Sequence, residues 1–231
     1  MQRSQRAITS IIVLVLALGA TALERWTREP QGNTATKGDP AAKSSAGFDY
    51  YLISLSWSPT FCESNPGDTE QCGNRGYGFI LHGLWPQYER GNGPQDCASD
   101  QRPDRATIAR TLAFMPSRRL IEHEWRAHGA CTDLDPEAYF GLADRAFASI
   151  HVPDALRPPA QPPSMSADDV SAAFVRANPG LGPNMLSVNC SSRDLAEVRI
   201  CVDTDLQPRA CGSGVRTRCP RDLPLRIPLV R

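Results

Sequence analysis

Three of the four histidines in this 231-residue chain fall in two short segments. The first runs Gly78-Phe79-Ile80-Leu81-His82-Gly83-Leu84-Trp85-Pro86-Gln87. The second runs Leu120-Ile121-Glu122-His123-Glu124-Trp125-Arg126-Ala127-His128-Gly129-Ala130-Cys131. If the second is helical, Glu124 and His128 stand four residues apart on one face, so a carboxylate can orient an imidazole. His123 and His128 are five apart and diverge on a straight helix. A zinc-gripping H-E-x-x-H pair needs a histidine four residues after His123, where the chain has Ala127. No metal site is therefore expected, and full activity in EDTA would eliminate a hydrolase built on His82, His123 and His128. Gly129 can end the helix, and Cys131 can staple that end to a loop. In the first segment His82 is placed just after a strand, at the end of a buried apolar run, with Trp85-Pro86 as a rigid flat surface beside it.

Two imidazoles, an aromatic platform and a carboxylate suit acid/base chemistry on a nucleotide. RNA needs no metal for cleavage, because its own 2′-OH can attack the adjacent phosphorus. A protein must take that proton, return one to the leaving 5′-oxygen and steady the crowded phosphorane. One neutral and one protonated imidazole match both proton tasks, and they predict a bell-shaped pH profile with an acidic optimum.

F-I-L-H-G-L-W-P and H-E-W-R-A-H-G-A-C resemble the two active-site signatures of the T2 ribonuclease family, in the same order and at a fitting separation. The resemblance extends from Phe48 towards the C-terminus. It implies an exported endoribonuclease that cuts single-stranded RNA to 2′,3′-cyclic phosphate ends, with no cofactor and no metal. By position, His82 matches the general acid and His128 the general base. Glu124 matches the transition-state glutamate, His123 a phosphate-binding histidine and Trp85 a base-stacking tryptophan. The chain departs from the family at Ala127, where a lysine is usual; losing one such donor can cost on the order of 10²–10³ in rate. Arg126, Arg118 and Arg119 are the candidates to replace it, with Arg126 taken as substrate-binding. Gln87 stands where some relatives have a base-reading aspartate. The resemblance also implies the disulfides Cys62–Cys72, Cys97–Cys131, Cys201–Cys211 and Cys190–Cys219.

The elements that must position these residues follow from pattern and composition. Residues 50–57 (Tyr50-Tyr51-Leu52-Ile53-Ser54-Leu55-Ser56-Trp57) have strand composition and stop at Pro59; a second strand is expected at Tyr77–Leu81. Ile108, Leu112 and Met115 lie on one face of a helix ending before Pro116. Ser117 caps the next, with Leu120, Ile121 and Trp125 as its apolar stripe. Asp135-Pro136 opens a helix carrying Tyr139, Phe140, Ala143, Phe147 and Ile150, and Ser166 caps one that buries Val170, Phe174 and Val175. Strands return at Met185–Val188, Glu197–Val202 and Leu225–Val230. Strands, then helices, then strands predict an α+β domain on an antiparallel sheet flanked by helices. Trp57, Trp125 and His151 read as structural.

Composition bounds the rest. Twenty-five basic and 25 acidic residues balance, so binding through bulk positive charge is unexpected. The only lysines are Lys37 and Lys43, which excludes lysine chemistry downstream. Eight cysteines, all after residue 60 and with no C-x-x-C pair, read as four disulfides in an oxidising compartment. Arg3 and Arg6 precede the apolar run Ile11–Leu18 and Gly19-Ala20-Thr21-Ala22, the order of a secretory signal over residues 1–22; an uncleaved anchor is the other reading. Residues 23–47 read as a flexible linker and 48–231 as the catalytic domain. The chain is thus expected to be secreted or periplasmic, monomeric, free of stable membrane association after cleavage, and to have single-stranded RNA as its partner. The alternative is a catalytically weakened RNA-binding or signalling protein of the same fold, favoured only by Ala127.

Overall fold

The computed structural model describes residues 47–158, 162–220 and 223–230. The expected signal segment lies outside these residues, as does the linker except for Gly47. In chain order the elements are β1 (Tyr50–Trp57), α1 (Ser58–Ser64), β2 (Phe79–Gln87), α2 (Arg105–Thr111), α3 (Arg118–Ala127), α4 (Pro136–Ala148), α5 (Ala167–Ala177), β3 (Leu186–Ser191) and β4 (Asp194–Val202). Short 3₁₀ turns follow α3 at Gly129–Cys131 and α4 at Asp154–Leu156. The strands form one antiparallel sheet in the order β2-β1-β4-β3. This is the α+β class the pattern predicts.

The sheet has two chemically distinct faces because side chains alternate along a strand. Tyr51, Ile53, Leu55 and Trp57 of β1 share a face with Leu81 and Leu84 of β2 and with Val198 and Ile200 of β4. All are buried, and they pack with Ile121, Trp125, Tyr139, Phe140, Val170 and Phe174 of the helices into one core. The opposite face carries Ser54 and Ser56, with Glu197 and Arg199 in register beside them. That face is where polar chemistry can be presented from a rigid support.

Helix ends follow the caps read from sequence. Ser117 accepts from the Leu120 N–H, Asp135 from Ala138 N–H, and Ser166 forms a full capping box with Asp169. The four expected disulfides are all formed. Among the described residues no helix is long and apolar enough to cross a membrane.

Four local expectations are corrected. The stop at Pro59 is a helix, because proline is tolerated in a first turn, so Cys62 bridges to Cys72 from α1. Strand β2 does not end at Leu81 but runs to Gln87, so His82 lies inside it; Pro86 is tolerated because β2 is an edge strand. Helix α2 stops at Thr111, leaving Leu112 as its 39% exposed C-cap while Phe114 and Met115 turn into the core. Leu225–Val230 is not a strand: Pro224 and Pro228 remove ladder donors, and a single bridge joins Arg226 to Asp194.

Candidate active site

His82 owes its direction to a fault in the sheet. Ser54 pairs with Gly83 but Leu55 pairs with Leu81, so His82 is the extra residue of a β-bulge. The bulge lets Leu81 and Leu84 both face the core while His82 emerges on the polar side. Tyr139 of α4 fixes the neighbouring backbone by donating to the Leu84 carbonyl at 2.9 Å. The His82 side chain is 32% exposed. Its Nδ1 lies 2.6 Å from a Glu197 carboxylate oxygen, and its Nε2 lies 3.6 Å from Glu124 Oε1.

Helix α3 supplies the other half. Burial of Ile121 and Trp125 anchors it on the core, and this rolls Glu124 against β2, where it is 1% exposed. Glu124 Oε2 accepts from the Trp85 indole N–H at 2.7 Å; Oε1 has no hydrogen-bond partner among the described residues. The contact needs Gly83, since a Cβ there would lie 2.0 Å from Glu124 Oε2 and 2.3 Å from Trp85 Nε1. His128 is the buried C-cap of α3, its N–H donating to the Glu124 carbonyl at 3.0 Å. The ring of Trp85 packs against both imidazoles, 5.2 Å from His82 and 5.0 Å from His128 by centroids. After His128, Gly129 is required by packing, because a Cβ would come within 2.5 Å of Trp125 and 2.9 Å of Tyr139. Cys131 then ties this turn to Cys97.

One expectation about this cluster is overturned. Glu124 does not orient the His128 ring; its carboxylate faces Trp85 and His82, and His128 Nδ1 is buried without a partner among the described residues. The helix ends at Ala127, so the four-residue spacing no longer places both side chains on a shared face.

The environments push the two imidazoles apart. Burial alone would pull His82 down, but the hydrogen bond to Glu197 and the charges of Glu124 and Glu197 outweigh it and hold this ring above its ordinary pKa. His128 sinks to about 3 through burial, reinforced by the neighbouring His82 and His123 charges. Burial lifts Glu124 to about 7, against the opposing pull of His82 and the Trp85 hydrogen bond. Glu197 ends below its usual value despite burial, because His82 and Arg199 favour its charge. The pair can therefore hold a proton at one ring and a free, unprotonated lone pair at the other, which is what concerted acid/base work requires.

Beside His82 opens a cavity of about 350 Å³ whose walls include Ser56, Gln71, Ser117, Arg119, His123 and Arg126. His123 and Arg126 are exposed on it. Arg118 pairs with Glu122 and Arg119 with Asp68, whereas Arg126 makes no ion pair among the described residues. Gln87 is buried at the end of β2 and donates to the Pro86 carbonyl. His151 is remote, its backbone held by Asn178. Among the described residues no cluster of metal-binding side chains occurs.

Residues 48–211 match the Ribonuclease T2 family. The chain belongs to that family. A ribonuclease of Aeromonas hydrophila is 48% identical over 103 residues, 44% of this chain and 46% of that protein. A probable ribonuclease of Haemophilus influenzae is 31% identical over 183 residues, 73% of this chain and 62% of that protein. The chain covers less than two thirds of either relative's length. Among solved structures, an RNase-related protein from Calystegia sepium superposes with a TM-score of 0.64 at 23% identity, over 80% of this chain and 98% of that one, a likeness of fold.

Glu197 and Arg199 were not singled out from sequence. Their signal was the alternation Glu197-Val198-Arg199-Ile200-Cys201, in which two charges share one strand face. What the alternation does not reveal is that this face also holds His82.

Proposed function

We propose that this family member is a metal-independent endoribonuclease that cleaves single-stranded RNA by transesterification to 2′,3′-cyclic phosphate ends. His128, neutral and with its ring on one side of Trp85, takes the proton of the attacking 2′-OH. The 2′-oxygen bonds to phosphorus, the P–O5′ bond breaks, and His82 delivers a proton to the departing 5′-oxygen. Glu124, whose Oε1 has no hydrogen-bond partner among the described residues and lies 3.6 Å from His82 Nε2, and the exposed His123 and Arg126 face the phosphorane and its flanking phosphates. The partly exposed Trp85 offers a surface to a base. Arg126 is the guanidinium best placed to substitute for the lysine that Ala127 replaces, since Arg118 and Arg119 are already engaged. The four disulfides support an exported, oxidised protein.

The observation that carries this reading is the opposite protonation preference of two imidazoles packed against one tryptophan. The test incubates the oxidised chain with mixed-sequence RNA in EDTA over roughly pH 4 to 8, alongside His82→Ala and His128→Ala, with product ends read by mass. Cyclic phosphate ends are expected from the parent, and a loss of at least ~10²-fold from each variant. A rate within a few-fold of the parent removes that histidine from the mechanism. Intact RNA throughout, from folded parent protein, would favour the RNA-binding alternative instead.

A further inference from the structure

Strand β4 is not a neighbour of β2, since β1 lies between them. Two steps of sheet spacing separate their backbones by roughly 10 Å. Yet Glu197 on β4 meets His82 on β2 at 2.6 Å. The crossing is possible because β1 places only the small side chains of Ser54 and Ser56 at the level of Glu197 and Arg199, and because the bulge brings His82 out over them. The other oxygen of Glu197 is held by Arg199, which donates through Nε at 2.8 Å and through a terminal nitrogen at 2.6 Å. Arg199 in turn lies over the Trp85 ring, 4.9 Å from its centroid. The carboxylate is thus fixed from one side and spent on the imidazole from the other.

We propose that Glu197, clamped by Arg199, is the positioning residue of His82: its carboxylate accepts the Nδ1–H and leaves Nε2 as the atom that delivers the proton to the leaving oxygen. The inference rests on the reading of His82 as the acid. The geometry supports it from both ends of the ring, since Nε2 already points at Glu124 and the site. An ion pair that only braced the sheet would have no use for a third partner two strands away. The charge also matters. The groups facing His82 are Glu124 from α3, His128 just after it, Glu197 and Arg199 from β4, and Asp68, Arg119, His123 and Arg126 around the cavity. Among them Glu197 makes the closest contact, so it contributes most to keeping a proton on the ring.

The test compares two substrates in the full oxidised chain. One is RNA, whose 5′-oxygen needs a proton to leave. The other is a nucleoside 3′-(4-nitrophenyl phosphate), whose phenolate leaves without one. His82→Ala should lose far more on RNA than on the activated ester. Glu197→Gln should show the same pattern, with the RNA-to-ester ratio of kcat/KM falling severalfold near neutral pH as His82 loses the hydrogen bond and charge that hold its proton. Its basic limb on RNA should move to lower pH. Arg199→Gln frees the Glu197 carboxylate but also removes a positive charge that lowers His82, so it should reduce the ratio less and without moving the basic limb to lower pH; it keeps the proposal testable should Glu197→Gln not fold. In the parent, ring nitrogen NMR should find the neutral His82 protonated at Nδ1. A neutral ring protonated at Nε2 overturns the proposal, as does an unchanged ratio in both variants while His82→Ala shows the effect. If His82→Ala itself shows no leaving-group effect, the acid assignment falls and the positioning role goes with it.

Discussion

Replacing Glu124 with glutamine should make the protein more stable at alkaline pH while making it a poorer catalyst. The carboxyl is 1% exposed, has one hydrogen bond from Trp85 and leaves one oxygen without a hydrogen bond among the described residues, 3.6 Å from His82 Nε2. Burial raises its pKa from 4.5 to about 7. Two to three pH units at about 1.4 kcal/mol each set an upper bound of about 3 kcal/mol on what ionising this group costs the folded state. The sign follows from proton counting. Between pH 4.5 and about 7 the folded state holds the proton more tightly than the unfolded one, so stability falls as pH rises through that window. Below it the carboxyl is neutral in both states; above it the full cost is present. Glutamine keeps an acceptor for the Trp85 N–H and carries no charge, so it escapes that cost. Denaturant unfolding of parent and variant at pH 4.5 and pH 8 measures the difference. The variant should gain up to about 3 kcal/mol relative to the parent between those conditions, or a few degrees in melting temperature per kcal/mol. Its cleavage rate should fall about 10²-fold, the scale for losing one group that stabilises transition-state charge. A stability difference that does not change with pH would refute the claim that Glu124 carries a buried charge.

Four further outcomes follow from the same geometry. Gly83→Ala places a methyl inside the Glu124–Trp85 contact, so activity should drop about as far as in the glutamine variant and stability by about 1–3 kcal/mol; parent-like kinetics would show the contact is dispensable. The kcat/KM profile on RNA should rise through about pH 3 as His128 loses its proton and fall above the ordinary histidine range as His82 loses its own, giving a broad acidic plateau; a basic limb below about pH 6 contradicts the charge environment of His82. Removing the Cys97–Cys131 bridge as a double serine variant should cost about 2–4 kcal/mol. It should also reduce turnover more than removing Cys201–Cys211, because Cys131 lies in the turn directly after His128; equal effects on turnover would detach that bridge from the site. Ala127→Lys should raise turnover by restoring a cation, but at about 1–3 kcal/mol of stability since residue 127 is buried; unchanged turnover would mean the site has no need of it.

What the sequence made legible is what is local. The caps at Ser117, Asp135 and Ser166 are side-chain-to-backbone contacts three residues long, and each appears where its residue type predicts. The order of strands and helices gave the α+β class. The two histidine segments indicated the site because each carries several of its side chains within a few residues of one another. Family membership accounts for the disulfide pairs, which spacing alone left open. Non-local features were hidden. A bulge breaks the period-two pattern, so the apolar run ending at Leu81 reads as a strand end rather than a strand with one residue inserted. Pro59 reads as a stop when it is a first-turn proline. Glu124 and His128 obey helical spacing, yet the helix ends before the pattern can act. Glu197 reaches His82 across an intervening strand, a contact to which no spacing rule applies.

The asymmetry between the two histidines follows from topology rather than from residue type. His82 emerges from the edge strand over two serines, and this admits carboxylates from two separate elements, α3 on one side and β4 on the other. His128 closes a helix whose last turn is sealed by packing at Gly129, and the charged groups that act on it are the other imidazoles. Identical side chains are thus pushed in opposite directions by their surroundings. Removing both carboxylate charges, as in Glu124→Gln with Glu197→Gln, takes away the carboxylates that raise His82 and leaves that ring to burial and the Arg199 charge, both of which lower it. The basic limb should then fall further than with either change singly, because each carboxylate acts on His82 from a different side. A double variant no worse than Glu197→Gln would instead mean that β4 alone sets the proton of His82, and that Glu124 works only on the phosphorane.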